Sequence, residues 1–191
     1  MKATHYRTLI LLCNQLEGER VMMRSYRASD ARALYEAVEE SREHLRPWLP
    51  FADETFEEAS DWVIRQQAAW LLRENLSLGI WEQSSGHFLG SAGLIPSNWQ
   101  IGYFGIGYWL RASAEGHGYM SEAVSLLVDY AFSELGAERL EIQCDERNER
   151  SAAVARRLGF KREGCRRNDF CASDGSLRNT LIFGLLPTDR S

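Results

Sequence analysis

Apolar residues recur along this chain at two periods, and the changes of period mark out its elements. Residues 17–27 (EGERVMMRSYR) alternate enough for a first strand with one buried face. Ser29 stands where a helix N-cap belongs, and Leu34, Ala37, Val38 and Ser41 follow at helical spacing. That helix should stop before Pro47, because a proline disfavours helical geometry in the residue ahead of it. Thr55 and Glu58 form a capping box, and Ala59, Trp62, Val63, Gln66, Ala69 and Trp70 then share one face of a second helix. Residues 77–83, 87–95 and 102–110 read as three strands with short connections, which predicts an antiparallel meander. Helical period returns over 119–135 through Ala123, Val124, Leu127, Val128 and Ala131, and Gly136 ends it. Residues 139–145 alternate, with Leu140, Ile142 and Cys144 on one side and Glu141 opposite. Residues 148–158 form a short helix closed by Gly159, and 161–167 and 177–186 are the last strands. This order predicts an α+β fold with one mixed, mostly antiparallel sheet of six to seven strands and helices on both faces.

A chain of 191 residues suits one domain. We place it at 17–186, with 1–16 as a leader or extra strand and 187–191 as a tail. The leader contains TLILLC, from Thr8 to Cys13, which is far shorter than the roughly 20 residues a bilayer requires and has no small-residue cleavage pattern. Neither a membrane partner nor export is therefore expected, and the reading is cytoplasmic. The net charge of −5 argues against nucleic acid, whose phosphates call for a basic excess. The basic stretch 161–167 (KREGCRR) is short and reads as a solvated strand edge. Cys13, Cys144, Cys165 and Cys171 form no C-x-x-C pair and the four histidines are scattered, so neither a metal site nor disulfides are expected.

Candidate chemistry concentrates where the third meander strand hands over to the central helix. Residues 108–122 run from strand end through a Gly-x-Gly loop into the first helical turn. N–H groups in such a loop lack intrahelical acceptors, and the helix dipole adds positive charge, which together suit a diphosphate. Gly116 and Gly118 let the backbone approach it closely. Taken alone, the pair reads sooner as a tight strand-to-helix turn that binds nothing. It fits neither the dinucleotide fingerprint nor the P-loop, which need further glycines or a Gly-Lys-Ser/Thr ending.

Thirty residues on, Asn148 opens NERSAAVARRLGF (148–160). Together with IGYWL (106–110), GHGYMSEAV (116–124) and REHLRPWLP (42–50), this segment resembles the GNAT superfamily of N-acetyltransferases, and within it the branch that acetylates ribosomal-protein serine and alanine N-termini. The resemblance spans about residues 17–186. It implies that two neighbouring strands, 102–110 and 139–145, splay apart and that the pantetheine arm of acetyl-CoA fills the gap. Tyr108, Trp109, Leu110 and Asn148 would hold that arm. Arg111, Ser113, Glu115, Gly116, His117, Gly118, Tyr119 and Met120 would surround the diphosphate. The strand-end N–H at Leu110 would stabilise the oxyanion formed as the thioester is attacked.

Three positions depart from the family pattern. Ser113 stands where a Gln or Arg often begins the loop, with Arg111 as a substitute cation; Gly105 stands where many relatives carry a basic glutamate; Ala155 stands where many carry an acidic tyrosine. The resemblance points instead to Ser151 as the hydroxyl assisting thiolate departure, although Ser151 is equally placed to cap its helix. Cys144 is either a core thiol or a covalent nucleophile, and Glu141 a water-relayed base. Trp48 and Phe51 would wall the acceptor site or pack as core. An α-amine, with a pKa of about 7.7–8.0, is far more often neutral than lysine at about 10.4, so a site with a weak base favours a protein N-terminus. A small amine such as an amino acid, polyamine or aminoglycoside is the alternative acceptor. A non-catalytic acyl-CoA-binding module is a third reading, and monomer and homodimer stay equally open.

Overall fold

A computed structural model describes residues 7–172 and 175–190. Its elements are β1 (Gln15–Glu17), β2 (Val21–Ser25), α1 (Ala31–Leu45), α2 (Phe56–Leu72), β3 (Leu76–Glu82), β4 (Phe88–Asn98) and β5 (Tyr103–Leu110), then α3 (Tyr119–Ser133), β6 (Arg139–Asp145), α4 (Glu149–Arg157), β7 (Lys161–Cys171) and β8 (Leu177–Leu185). The strands form one sheet in the order β1-β2-β3-β4-β5-β6-β8-β7. Neighbours pair antiparallel except β5 with β6, which run parallel. Two apolar clusters sandwich the sheet. Ala123, Val124 and Leu127 of α3 and Ala152 and Ala155 of α4 pack on one face with Phe104, Ile106 and Ile142. Leu34, Ala37 and Val38 of α1 and Ala59 and Val63 of α2 cover the other face with Trp81, Phe88 and Trp109.

The α+β architecture is as the sequence predicts, but the sheet has eight strands among the described residues, not six to seven. The predicted strand 17–27 is a hairpin. Its turn is fixed from outside, because the Glu122 carboxylate of α3 accepts the N–H groups of Arg20 (2.7 Å) and Val21 (3.2 Å). The extra strand of the leader falls at Gln15–Glu17, and Thr8–Cys13 lies outside any strand. Residues 1–6, Ser173, Asp174 and Ser191 are not among the described residues. The first helix begins at Asp30, not Ser29. The Asp30 carboxylate is buried, accepts the Arg27 N–H at 2.7 Å and pairs with the Arg24 guanidinium at 2.7 and 2.8 Å, so the chain enters through a 3-10 turn. The capping box of α2 forms as expected: Thr55 Oγ1 accepts the Glu58 N–H at 3.3 Å, and the Glu58 carboxylate accepts the Thr55 N–H at 2.8 Å. Strand β7 extends past Arg167 to Cys171 through register shifts, with Asn168 in left-handed backbone geometry (φ 52°). Such bulges erase the period-two pattern that sequence reading depends on.

The feature that positions the site is a split in the sheet. β5 pairs with β6 from Tyr103 opposite Arg139 to Ile106 opposite Ile142, and the pairing stops there. On their outer edges both strands continue paired, β5 with β4 as far as Leu110 and β6 with β8 as far as Asp145. A gap therefore opens between residues 107–110 and 143–145.

Candidate active site

A cleft of about 1570 Å³ fills this gap and draws its walls from both faces of the sheet. From the α3–α4 face come Gly116, Gly118, Met120 and Ser121 at the start of α3, with Asn148, Ser151 and Arg157 of α4 and its cap. From the α1–α2 face come Leu45, Pro47, Trp48 and Trp109.

The anion end is built largely from main chain. Gly116 (φ 78°) and Gly118 (φ 82°) are left-handed, a geometry that strains any residue with a Cβ. Gly118 is the N-cap, so the N–H groups of Tyr119, Met120 and Ser121 begin the helix with no intrahelical acceptor. Two cations flank them. Arg20 donates to the His117 carbonyl at 2.8 Å and pairs with Glu122 at 2.9 Å, while Arg157 donates to Ser121 Oγ at 2.6 Å. Both line the cleft.

Several predicted contacts lie elsewhere. Arg111 turns to α1, where its guanidinium pairs with Glu40 and also donates to the Phe88 carbonyl at 3.1 Å. The Ser113 N–H goes to the same Glu40 carboxylate at 3.2 Å. The Arg111 guanidinium, with Ser113, holds the Glu40 carboxyl down at about 2 despite its partial burial. Neither Arg111 nor Ser113 lines the cleft, and Arg20 and Arg157 occupy the place proposed for them. The side chains of His117 and Tyr119 stack on each other at 5.8 Å, and the Tyr119 hydroxyl donates to Glu82 at 2.6 Å. What remains for a ligand there is their backbone. Glu115 lines the cleft and bridges it, pairing with Arg150 of α4 and with His44 of α1 at 2.6 Å.

At the middle of the cleft three side chains converge. The Tyr108 hydroxyl lies 3.0 Å from Ser151 Oγ and donates to the Ser151 carbonyl at 3.0 Å. Cys144 sits beside them, where burial pushes its thiol up and Ser151 pulls the other way. Burial likewise raises Tyr108 to about 12. Asn148 uses Oδ1 to cap α4, accepting the Ser151 N–H at 3.0 Å. The Arg111 N–H donates to the Leu89 carbonyl at 2.9 Å, so by antiparallel alternation the N–H groups of Leu110 and Tyr108 face away from β4, into the gap.

The two acceptor-wall aromatics part company. Trp48 lines the cleft. Phe51 packs on Trp109 at 5.9 Å and closes a separate small apolar pocket between α1 and α2. Glu141 does not line the cleft. It is buried in the paired part of β6, where Arg139 (2.7 Å) and Gln143 (2.6 Å) hold it. Burial opposes its charge, but these partners outweigh burial and keep its carboxyl below the usual range. Arg20, Asp145, Arg157 and Arg178 are cleft residues that sequence reasoning misses. Arg150 and Arg157 are seven apart on α4, two turns along one face, and that spacing was the available signal for Arg157. Arg20 comes from the β1–β2 turn and Arg178 from β8, and neither left one.

A strand-end N–H, a ring of helix-start N–H groups, flanking guanidiniums and a hydroxyl–thiol cluster along one through-sheet cleft define an acyltransferase that works on a long anionic thioester. A model of the acetyltransferase (GNAT) domain matches residues 20–161. YdaF of Bacillus subtilis (strain 168) is 32% identical over 176 residues, covering 88% of this chain and 92% of that protein. The ribosomal protein uS5-alanine N-acetyltransferase of Escherichia coli (strain K12) is 27% identical over 181 residues, 92% of each chain. Among solved structures, the ribosomal L7/L12 α-N-protein acetyltransferase RimL, with coenzyme A disulfide-bonded to one of its cysteines, superposes with a TM-score of 0.84 at 22% identity, covering 90% of this chain and 97% of that one. The chain belongs to the GNAT family and is an N-acetyltransferase with acetyl-CoA as co-substrate. Its enzymatic class sets aside the non-catalytic alternative.

Proposed function

We propose that this enzyme acetylates the N-terminal α-amine of a protein, such as a ribosomal protein, by direct attack on acetyl-CoA. The observation that carries the reading is the form of the cleft on the α1–α2 face. It runs open between Trp48 and the β7–β8 hairpin, where Phe170, Asn179 and Thr180 line it, and its charges are mixed: Arg147 and Arg178 both pair with Asp145, and Glu43 and Glu149 line it too. An open rim of mixed charge leaves room for an extended peptide end. A polyamine calls for a closed, acidic pocket. The names of relatives that act on ribosomal-protein alanine and serine agree with this choice.

In this mechanism the helix-start N–H groups with Arg20 and Arg157 take the diphosphate, and the gap takes the pantetheine arm. The Leu110 N–H faces the developing oxyanion. The Ser151 hydroxyl, backed by Tyr108, protonates the departing sulfur. A thiol pushed up by burial is a poor nucleophile at neutral pH, which favours direct attack over an acetyl-Cys144 intermediate.

The test is thiol release from acetyl-CoA with peptides bearing free α-amines beside amino acids, polyamines and aminoglycosides. Peptides should react fastest and the protein itself should gain no acetyl group by mass spectrometry. Preference for a small amine overturns the acceptor, and an acetylated Cys144 overturns direct attack.

A further inference from the structure

The small apolar pocket between α1 and α2 takes no part in the steps above, yet one side chain belongs both to it and to the cleft. Trp109 lines each of them. On the cleft side it stands with Trp48, Leu49 and Leu110. On the pocket side it stands with Leu34, Val38, Phe51 and Trp62. Phe51 and Phe88 hold the indole edge to face, with ring centroids 5.9 and 6.1 Å away, and Trp109 is only 8% exposed. The indole is therefore a partition between two cavities, fixed by the aromatic packing around it.

Covalent geometry puts this partition at the reacting end of the cleft. The Leu110 nitrogen is bonded to the carbonyl carbon of Trp109, so the indole springs from the same peptide that presents its N–H to the gap. The alternation along β5 turns Phe104 and Ile106 into the α3–α4 core and Trp109 to the α1–α2 face. Gly105 and Gly107 share that face and carry no side chain. A coenzyme held by the helix-start N–H groups on the α3–α4 face, and threaded through the gap, brings its acyl group out on the α1–α2 face. The indole is then the first side chain of β5 that the acyl group meets.

We infer that Trp109 sets the length of the acyl group that this enzyme transfers: its indole stops the chain at acetyl and shuts off the pocket behind. The inference rests on the thioester placement proposed above, at the Leu110 N–H, and holds whichever amine is the acceptor. The pocket has a volume of about 20 Å³, room for about one water-sized group, so a longer chain fits only if the indole is gone. Replacing the indole by a methyl group leaves a space of the order of the roughly 150 Å³ apolar cavity that takes up benzene, enough for a chain of a few carbons.

Charge adds a second limit. Glu54 lines the pocket, and burial, with Glu58 nearby, pushes its carboxyl up. A site where one carboxyl already resists ionisation resists a second anion beside it. The space behind Trp109 therefore suits a neutral acyl chain and rejects one that ends in a carboxylate.

The test uses the full-length enzyme, an amine that it acetylates, and acetyl-, propionyl-, butyryl- and succinyl-CoA, with thiol release as the readout. Wild type should lose at least about tenfold in kcat/KM from acetyl to butyryl, with propionyl between them. In Trp109→Ala the butyryl-to-acetyl ratio should rise at least about tenfold, because each of the two added methylenes gains about fourfold on burial. The succinyl-to-acetyl ratio should stay at its wild-type value. Each ratio is taken within one protein, so a merely structural loss of stability or total activity does not move it. Trp109→Leu keeps apolar bulk in the aromatic cluster and serves if Trp109→Ala does not fold; it should move the butyryl ratio the same way, by less. A wild type that takes butyryl-CoA as readily as acetyl-CoA overturns the inference, and so does a folded Trp109 variant with the wild-type ratios. An equal gain for butyryl and succinyl also overturns it, because the chain then leaves by the open rim and not into the pocket. The acceptor reading fails separately: a wild type that acetylates a small amine but no peptide overturns the α-amine proposal, and the same ratios, read with that amine, still decide the role of Trp109.

Discussion

In the mechanism proposed above, the Tyr108–Ser151 contact governs how the sulfur leaves. Tyr108 has one proton, given to the Ser151 carbonyl at rest; with the two hydroxyls 3.0 Å apart, it can turn that proton to the alkoxide once Ser151 has given up its own. Ser151→Ala should therefore lower kcat by about tenfold to a hundredfold, with KM for acetyl-CoA little changed, because the α4 cap uses the Ser151 N–H and not its hydroxyl. Tyr108→Phe should lose less, since Ser151 keeps its own proton. Steady-state kinetics on both variants checks this, and equal losses in kcat and in acetyl-CoA affinity would mean the hydroxyl serves binding alone. At this scale the sequence is informative where function rests on main chain. Gly116, Gly118 and Leu110 are legible because a motif reports backbone geometry directly. Arg111 and Ser113 mislead, because which way a long side chain turns depends on Glu40, seventy residues away in the chain. Asp145 and Arg178 are illegible for the same reason: their meeting depends on the β6–β8 register.

Helix α2 begins at a visible cap, whereas at the start of α1 the Asp30 carboxylate accepts the Arg27 N–H of the preceding 3-10 turn and no N–H of α1. At α2 the Thr55–Glu58 box is solvent-exposed and local. At α1 the Asp30 carboxylate also neutralises Arg24, which lies 3.8 Å from the Trp81 ring centroid, so Asp30 fastens α1 to β2 and β3. Asp30→Ala should cost about 3–5 kcal/mol, the usual penalty for leaving a buried charge without its partner, whereas Thr55→Ala should cost much less. Urea denaturation of the two variants measures the difference, and similar losses would reduce Asp30 to an ordinary cap. The elements themselves were largely readable, since capping boxes, C-terminal glycines and period changes act within a few residues. What escaped were features imposed by distant groups. Glu122 breaks the first predicted strand into a hairpin, and the bulges of β7 hide its last four residues, 168–171.

Across the whole molecule, carboxylates held below their normal range join elements that are remote in the chain. Glu40 fastens α1 to the loop after β5, Glu122 fastens α3 to the β1–β2 turn, Asp145 fastens β6 to β8, and Glu163 fastens β7 to Arg139 of β6. All four shifts are downward, to about 2 in the case of Glu40. With a native pKa below the unfolded one, the unfolded chain binds more protons on acidification, so stability rises with pH through this window. The contribution is complete above the ordinary carboxyl range and drains away as pH falls from about 4.5 towards about 2. Glu40→Gln isolates one part of that slope. The variant should be less stable than wild type near neutral pH and converge with it at about pH 2, where wild-type Glu40 is itself half protonated. Added salt should narrow the neutral-pH difference, because the Glu40 side chain is 35% exposed and its pairing with Arg111 is open to screening. Thermal midpoints of the two proteins across that pH range are the measurement. A difference that stays constant with pH would show that glutamine disturbs packing, and that the Glu40 charge does not hold α1 to the cleft loop.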